Sequence, residues 1–494
     1  MERKSAKMEP NNNDSLKKSA FGGMVWKFSE RVCARLVSLV VSIVLARILV
    51  PEDYSLVSIV AIFFVLCNIF ITGGFNTALI QRKNADELDY STVLWTTLAV
   101  AALMYVGMFV CAPVIAGLYR KTKLVPIIRV MALTFFINAF KSVLTAYTSS
   151  QLQFRKFFFS TIIGTVISAF IGIIMALRGF GAWALVAQEM TNSLIDTLVL
   201  FLTTKLRIRL QFSKESLRGL FSYGSKNFLS AILHTIYEQV SPLIIGLRFS
   251  TADLAFYTKG RTFPEIINTT LSDTIAAVLF PVISRVQDNL EDVLGITRRY
   301  VKTVSFILFP VMLGMLAVSD SLVILLLTEK WQPAAIYIRI FCVTYLFNLM
   351  DVGAVQAIRA IGRSDIILIQ EIVKKAAYFI VLVGFVFLSS SPEIMAVSTL
   401  VCTLIGVVVA SVPSRRLIGY RYSWQICDIL PNLILSGSMC LIVRLIGRLP
   451  ISVGVLLPVQ IVLGIAVYVS LSMITKNESF RYILDYGKQL LKRG

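Results

Sequence analysis

Long runs of apolar residues, separated by short polar connections, fill almost the whole chain. Fourteen runs stand out, at about 24–47, 54–79, 91–117, 125–149, 158–178, 182–204, 226–248, 254–283, 301–318, 333–358, 366–388, 393–412, 428–446 and 451–474. Each approaches or exceeds the ~20 residues that a helix needs to cross the hydrocarbon core of a bilayer. They are too long and too continuous for barrel strands, which alternate over ~10 residues. The pattern therefore predicts an all-α integral membrane protein of about fourteen transmembrane helices, with little chain left for a soluble domain. Composition agrees: mean hydropathy is +0.77, 56% of residues are hydrophobic and 15% are charged.

Polar punctuation divides the chain. Residues 1–20 read as a cytoplasmic tail rather than a signal peptide, because no cleavage site follows a short apolar core. Helices one to six occupy 21–204 and helices seven to twelve 226–418. Residues 205–225 form a basic, amphipathic linker suited to the inner leaflet. Two appended helices fill 419–475, and 476–494 is a second cytoplasmic tail.

The net charge of +20 raises the question of nucleic acid. Its distribution answers it. With the N-terminus inside, inner segments hold about 30 basic residues and outer loops about 8, which is the bias expected of a membrane protein. Both termini are thus expected in the cytoplasm. The seven cysteines show no metal spacing and read as small packing residues.

The halves echo each other. LARILVPEDYSLVSI (45–59) follows helix one and IGLRFSTADLAFYTK (245–259) follows helix seven, with Asp53 matching Asp253. Pro126 and Arg129, opening helix four, match Pro333 and Arg339, opening helix ten. Six helices repeated, with two appended, describe a duplicated transporter.

Ionisable groups at mid-bilayer cost at least ~2.5–3.5 kcal/mol and normally face a wet cavity or a partner. Helix one carries Arg31, Arg35, Ser38 and Ser42 on one face, beside Glu30. Helix seven carries Lys226, Ser230, His234 and Glu238 at every fourth residue. Helix eight carries Arg261, Glu265, Asn268 and Ser272, with Lys259 nearby. The alternative for each residue is an interhelical ion pair or snorkelling to the interface. Arg129, Lys141, Glu189, Asp196, Arg339, Asp351, Glu371, Lys374 and Lys375 are further charges within spans, the pair Glu371–Lys374 being locally spaced. Pro242, Pro264 and Pro281 are expected to interrupt helices seven and eight and make that pair mobile. A single histidine excludes a histidine triad or histidine metal site, and no phosphate-cradling GxxxxGK[ST] is present. An enzyme is not expected, and no cofactor is implied.

The segments LARILVPEDYSLVSI (45–59) and GGFNTALIQRKNADELDYSTVLWTT (73–97) resemble the Wzx-like oligosaccharide flippases. These are the polysaccharide-transport branch of the superfamily that also holds the MATE exporters and lipid II flippases. SSQLQFRKFF (149–158), FYTKGRTFPEIINTTLSDTIAAVLFPVISR (256–285) and AVQAIRAIGRSD (354–365) extend the likeness over nearly the whole chain, toward the capsule, colanic acid and teichuronic acid subgroup. The resemblance implies two six-helix lobes around a V-shaped cavity in the bacterial cytoplasmic membrane. It implies flipping of an undecaprenyl-diphosphate-linked sugar repeat from inner to outer leaflet. On this reading Arg31, Arg35, Lys226, Lys259 and Arg261 hold the diphosphate, and His234, Glu238 and Glu265 couple motion to an ion gradient. Expected partners are the lipid-linked oligosaccharide, membrane lipids, and the polymerase and glycosyltransferases of a polysaccharide pathway. A MATE-type cation or drug antiporter and a non-transporting scaffold are the competing readings. The first would want a more acidic, aromatic cavity than these stripes suggest.

Overall fold

The computed structural model describes residues 10–493 except 73, 83–84, 205, 207–209 and 389. Of these it describes all side chains but those of 10–25, 27–28, 31, 222–227, 230, 273–278, 364 and 486–493. Among the described residues every regular element is helical. The chain divides into two compact units, Met1–Leu247 and Arg248–Gly494.

The first unit contains α1 (Pro10–Ile48), α2 (Pro51–Thr72), α3 (Phe75–Gln81), α4 (Glu87–Leu118) and α5 (Leu124–Met131). It continues with α6 (Thr134–Ser150), α7 (Phe154–Leu177), α8 (Ala182–Thr203) and α9 (Lys214–Arg248), whose last residue enters the second unit. The second contains α10 (Thr251–Ser284), α11 (Leu290–Ala317), α12 (Ser319–Leu327), α13 (Ala334–Ala360) and α14 (Ser364–Leu388). It ends with α15 (Pro392–Ile418), α16 (Tyr422–Ile446), α17 (Val453–Ile474) and α18 (Glu478–Arg493). Each expected apolar run is found as a helix or as two helices end to end. Among the described residues, ten helices have the length and apolarity to cross a membrane. The remaining four expected spans are α1, α9, α10 and α14. The protein is a multi-pass membrane protein.

The prolines in the expected hinge pair do not break their helices. α9 runs unbroken through Pro242, and α10 through Pro264 and Pro281. A proline removes one donor from the ladder, but in apolar surroundings no water competes for the remaining backbone groups, and the helix is kept. α9 also begins at Lys214, so residues 214–225 of the expected linker are helical and continuous with the seventh expected span. That end is tied to the α3–α4 turn. Arg82 Nη1 lies 2.9 Å from Asp89 Oδ1, Ser216 Oγ donates to the same carboxylate, and the Ser213 amide donates to Thr92 Oγ1 at 3.1 Å.

Small residues decide how closely helices approach in lipid, where apolar surface gains little from leaving its surroundings. Ser160, Gly164, Ser168, Gly172 and Ala176 recur at every fourth position of α7 and are buried, so they form one stripe. A Cβ added at Gly164 would lie 3.1 Å from Asp196 Cβ, and one at Gly172 3.0 Å from Gln188 Cβ, both on α8. In the second unit Gly260 plays this part between α10 and α13, where an added Cβ would meet Tyr337 Cβ at 2.5 Å.

The repeated aspartates sit in the first turns of α2 and α10 and both satisfy helix N-termini. Asp253 forms a capping box with Ser250 on its own helix. Asp53 instead reaches across and accepts from the Ala182 amide at the start of α8, at 3.0 Å. Gly181, just before, has φ 56° and ψ −129°, and an added Cβ would stand 2.8 Å from Asp53 Oδ1.

The appended helices are fastened to the second unit by polar bonds. Asp428 on α16 accepts two hydrogen bonds from Arg298 on α11, each 2.8 Å, and a third from Tyr420 Oη at 2.9 Å. Asn432 donates to the Lys302 carbonyl and to Ser305 Oγ, and Asn477 donates to Asn432. α18, which the tail composition did not suggest, docks Phe480 and Ile483 against the cluster of Phe306, Leu435 and Tyr468.

Candidate functional site

In the first unit, the expected stripe on α1 is described only in part. The side chains of Arg31 and of Lys226 lie outside the described residues. Arg35 is half-buried, and its neighbour Glu30 accepts a hydrogen bond from Thr161 on α7 at 3.4 Å. On α9, His234 is exposed and Glu238 half-buried.

In the second unit, α10 presents its polar residues along one side. Arg261 and Glu265 form a pair at 3.1 Å, one turn apart, and the Arg261 guanidinium lies 5.9 Å from the Phe341 ring centroid. Lys259 is buried, with its ammonium 5.9 Å from the centroid of fully buried Trp331. It is therefore embedded in packing here, unlike Arg261, whose side chain stays partly accessible.

The residues that the fold brings together most clearly are others. In the first unit Asn138 Nδ2 on α6 donates to Asn68 Oδ1 on α2 at 2.9 Å, while Asn68 Nδ2 donates to the Phe64 carbonyl. One turn further along α6, Lys141 Nζ lies 2.6 Å from Asp196 Oδ2 on α8. In the second unit Asn348 Nδ2 on α13 donates to Asn268 Oδ1 on α10 at 3.3 Å. One turn further along α13, Asp351 Oδ1 lies 2.5 Å from Lys374 Nζ on α14, and Glu371 on α14 is 3.6 Å from that Nζ.

Each unit thus holds two asparagines bonded to each other and, one turn on, a lysine paired with an aspartate, with Glu371 also near the lysine of the second unit. The position three residues after the second asparagine carries the lysine in one unit and an acid in the other. Sequence reasoning had these charges as scattered residues and had only Asn268 of the four asparagines. A signal was present. Asp53 and Asn68 recur as Asp253 and Asn268 at one constant offset, and Arg129 and Asn138 recur as Arg339 and Asn348 at another. The matched arginines differ in their contacts: Arg129 stacks on Phe109 at 4.0 Å, whereas Arg339 donates to Ser319 Oγ and to Asp320.

Among the described residues no group of three or more His, Cys, Asp or Glu side chains is placed to hold a metal ion.

Comparison with known proteins places this architecture. The chain is 25% identical over 293 residues to the succinoglycan biosynthesis transport protein ExoT of Rhizobium meliloti (strain 1021), a match covering 59% of each chain. It thus aligns with less than two thirds of that relative's length. It is 22% identical over 357 residues to the teichuronic acid biosynthesis protein TuaB of Bacillus subtilis (strain 168), covering 71% of this chain and 73% of that one. Among solved structures, the lipid II flippase MurJ in an inward closed conformation superposes with a TM-score of 0.75 at 15% identity, over 92% of this chain and 99% of that one. That likeness concerns the fold. The model of one family, described as polysaccharide biosynthesis protein, matches residues 44–336, more than half of the chain, and the chain belongs to that family.

Proposed function

We propose that this protein translocates lipid-linked oligosaccharide repeat units from the inner to the outer leaflet of a bacterial cytoplasmic membrane, by alternating access, for surface polysaccharide synthesis. The observation that carries the reading is the family match across 44–336 on a chain with the fold of a lipid flippase. The names of its relatives, a transport protein for succinoglycan and a biosynthesis protein for teichuronic acid, point to the same substrate class.

The chemistry is consistent. A diphosphate carries negative charge, and guanidinium and ammonium groups shielded from bulk water hold it. Arg31, Arg35, Lys226, Lys259 and Arg261 are the candidates; of those described, Arg35 and Arg261 are partly accessible and Lys259 is buried. His234, Glu238 and Glu265 are the candidates for coupling to an ion gradient; the membrane potential offers ~2.3 kcal/mol per charge per 100 mV. Fourteen spans, two six-helix lobes with two appended helices, and cytoplasmic termini complete the proposal. A polymerase and glycosyltransferases are the partners it implies.

Depletion of the protein in its host tests the reading. Lipid-linked oligosaccharide should accumulate in a pool that a membrane-impermeant glycan-oxidising reagent cannot reach from outside. Unchanged delivery of the oligosaccharide to the outer leaflet in depleted cells would reject translocation.

A further inference from the structure

We propose that the duplicated asparagine-centred clusters are sugar-hydroxyl subsites, one in each unit: Asn68, Asn138, Lys141 and Asp196 in the first, and Asn268, Asn348, Asp351, Glu371 and Lys374 in the second. The inference rests on the translocation reading and specifies which part of the substrate these residues recognise.

Their chemistry separates them from the basic stripes. In each cluster the lysine already faces a carboxylate on a neighbouring helix, so no unpaired positive charge is left to hold a diphosphate. A sugar ring is neutral and presents adjacent hydroxyls that both donate and accept. Amides donate and accept, carboxylates accept, and an ammonium donates three times. The bonds already made leave such capacity over. Asn138 and Asn348 each spend one N–H on the partner asparagine and keep the second. Lys141 and Lys374 each have N–H groups beyond those facing their carboxylates.

Placement argues the same way. Among the described groups, the Lys141 side chain is 36% exposed and that of Glu371 41% exposed, although both lie within expected spans. Charged heads open to hydrocarbon are expensive, so these open sides border water. An ion pair kept only for packing would be replaceable by apolar residues at little loss. Here the asparagine pair occurs twice at matching positions, on α2 with α6 and on α10 with α13, each followed one turn further along by a lysine–aspartate pair, whose partner helix is α8 in the first unit and α14 in the second. The lysine is contributed by α6 in one unit and α14 in the other, so the two subsites offer the sugar mirrored patterns of donors and acceptors.

The test uses the purified full-length protein and two probes: undecaprenyl diphosphate, and the lipid-linked oligosaccharide fraction extracted from the host's membranes. Binding is read by native mass spectrometry for the wild type and for Asn138→Ala, Asn348→Ala and Glu371→Gln. The last removes a charge from an accessible side chain and keeps its shape, so it retains the test if an asparagine variant fails to fold. The variants should bind the oligosaccharide lipid about tenfold more weakly, the loss of one or two neutral hydrogen bonds, and bind undecaprenyl diphosphate as the wild type does. Equal weakening toward both probes, or no change toward either, overturns the proposal. So does intact sugar-lipid binding combined with altered sodium or pH dependence, which would make the clusters ion-coupling sites. Failure of the wild type to bind either probe would instead count against the translocation reading itself.

Discussion

Lys141 on α6 and Asp196 on α8 form an ion pair at 2.6 Å in which the carboxylate is almost fully buried and the lysine is open on one side. Gly164 permits it, since the absence of a side chain there lets α7 lie against α8 at Asp196. Removing one partner leaves the other charge in a poor environment. Lys141→Met is expected to destabilise the folded protein by about 1–3 kcal/mol, below the usual figure for a fully buried pair because the lysine is partly exposed. Thermal unfolding in detergent measures it. The reversed pair, Lys141→Asp with Asp196→Lys, should recover part of the loss; a reversed pair no better than the single variant would show that the interaction is not a simple pair.

Gly181 meets two constraints at once, a positive φ and the Asp53 carboxylate. Gly181→Ala is expected to cost about 1–3 kcal/mol from backbone conformation alone, with the clash added. Asp53→Ala should cost about 1 kcal/mol by stripping the cap from α8, and Asp53→Asn less, because an amide oxygen still accepts. If Gly181→Ala melts like the wild type, the close approach of Asp53 to the α8 N-terminus is not as described.

Asp428 collects bonds from Arg298 and Tyr420, and Lys302 lies 3.8 Å away. Asp428→Ala would leave these donors facing one another without an acceptor. The expected result is faster limited proteolysis within the segment from α16 to α18, ahead of global unfolding. Cleavage kinetics equal to the wild type would assign the fastening to the apolar cluster around Phe306 and Tyr468.

Cytoplasmic termini are the expectation from the distribution of basic residues. Reporter fusions after Asp53, Lys330 and Gly494 should read outside, outside and cytoplasmic. A cytoplasmic signal at Asp53 or an external one at Gly494 would invert the assignment.

The paired arginines of α1 supply the last expectation. Arg31→Ala with Arg35→Ala should abolish most surface polysaccharide export while leaving the amount of folded protein in the membrane unchanged. Lysine at both positions should restore export in part if charge is what matters, and hardly at all if a two-pronged guanidinium contact is required. Normal export by the double alanine variant would leave both residues a structural or interfacial role.

The linear chain by itself determined the solvent and the order of the helices, and marked the positions that recur at constant offsets; several helices, α1, α9 and α11 among them, begin well before the apolar runs that announced them. Apolar length and charge placement are local properties, and a bilayer reads them locally. It was also enough to mark which spans carry charge. Which charges meet was decided only by tertiary structure, because partners such as Lys141 and Asp196 lie on different helices and their approach depends on a stripe of small residues on a third, α7. The asparagine pairs escaped for a related reason. An asparagine in an apolar run is a mild signal alone, and becomes a site only when packing sets a second one opposite and repeats the arrangement in the other unit. That the prolines of α9 and α10 sit inside continuous helices was likewise decided by surroundings. Taken singly, proline weakens a helix, but in surroundings without water the rest of the backbone has nothing else to bond to.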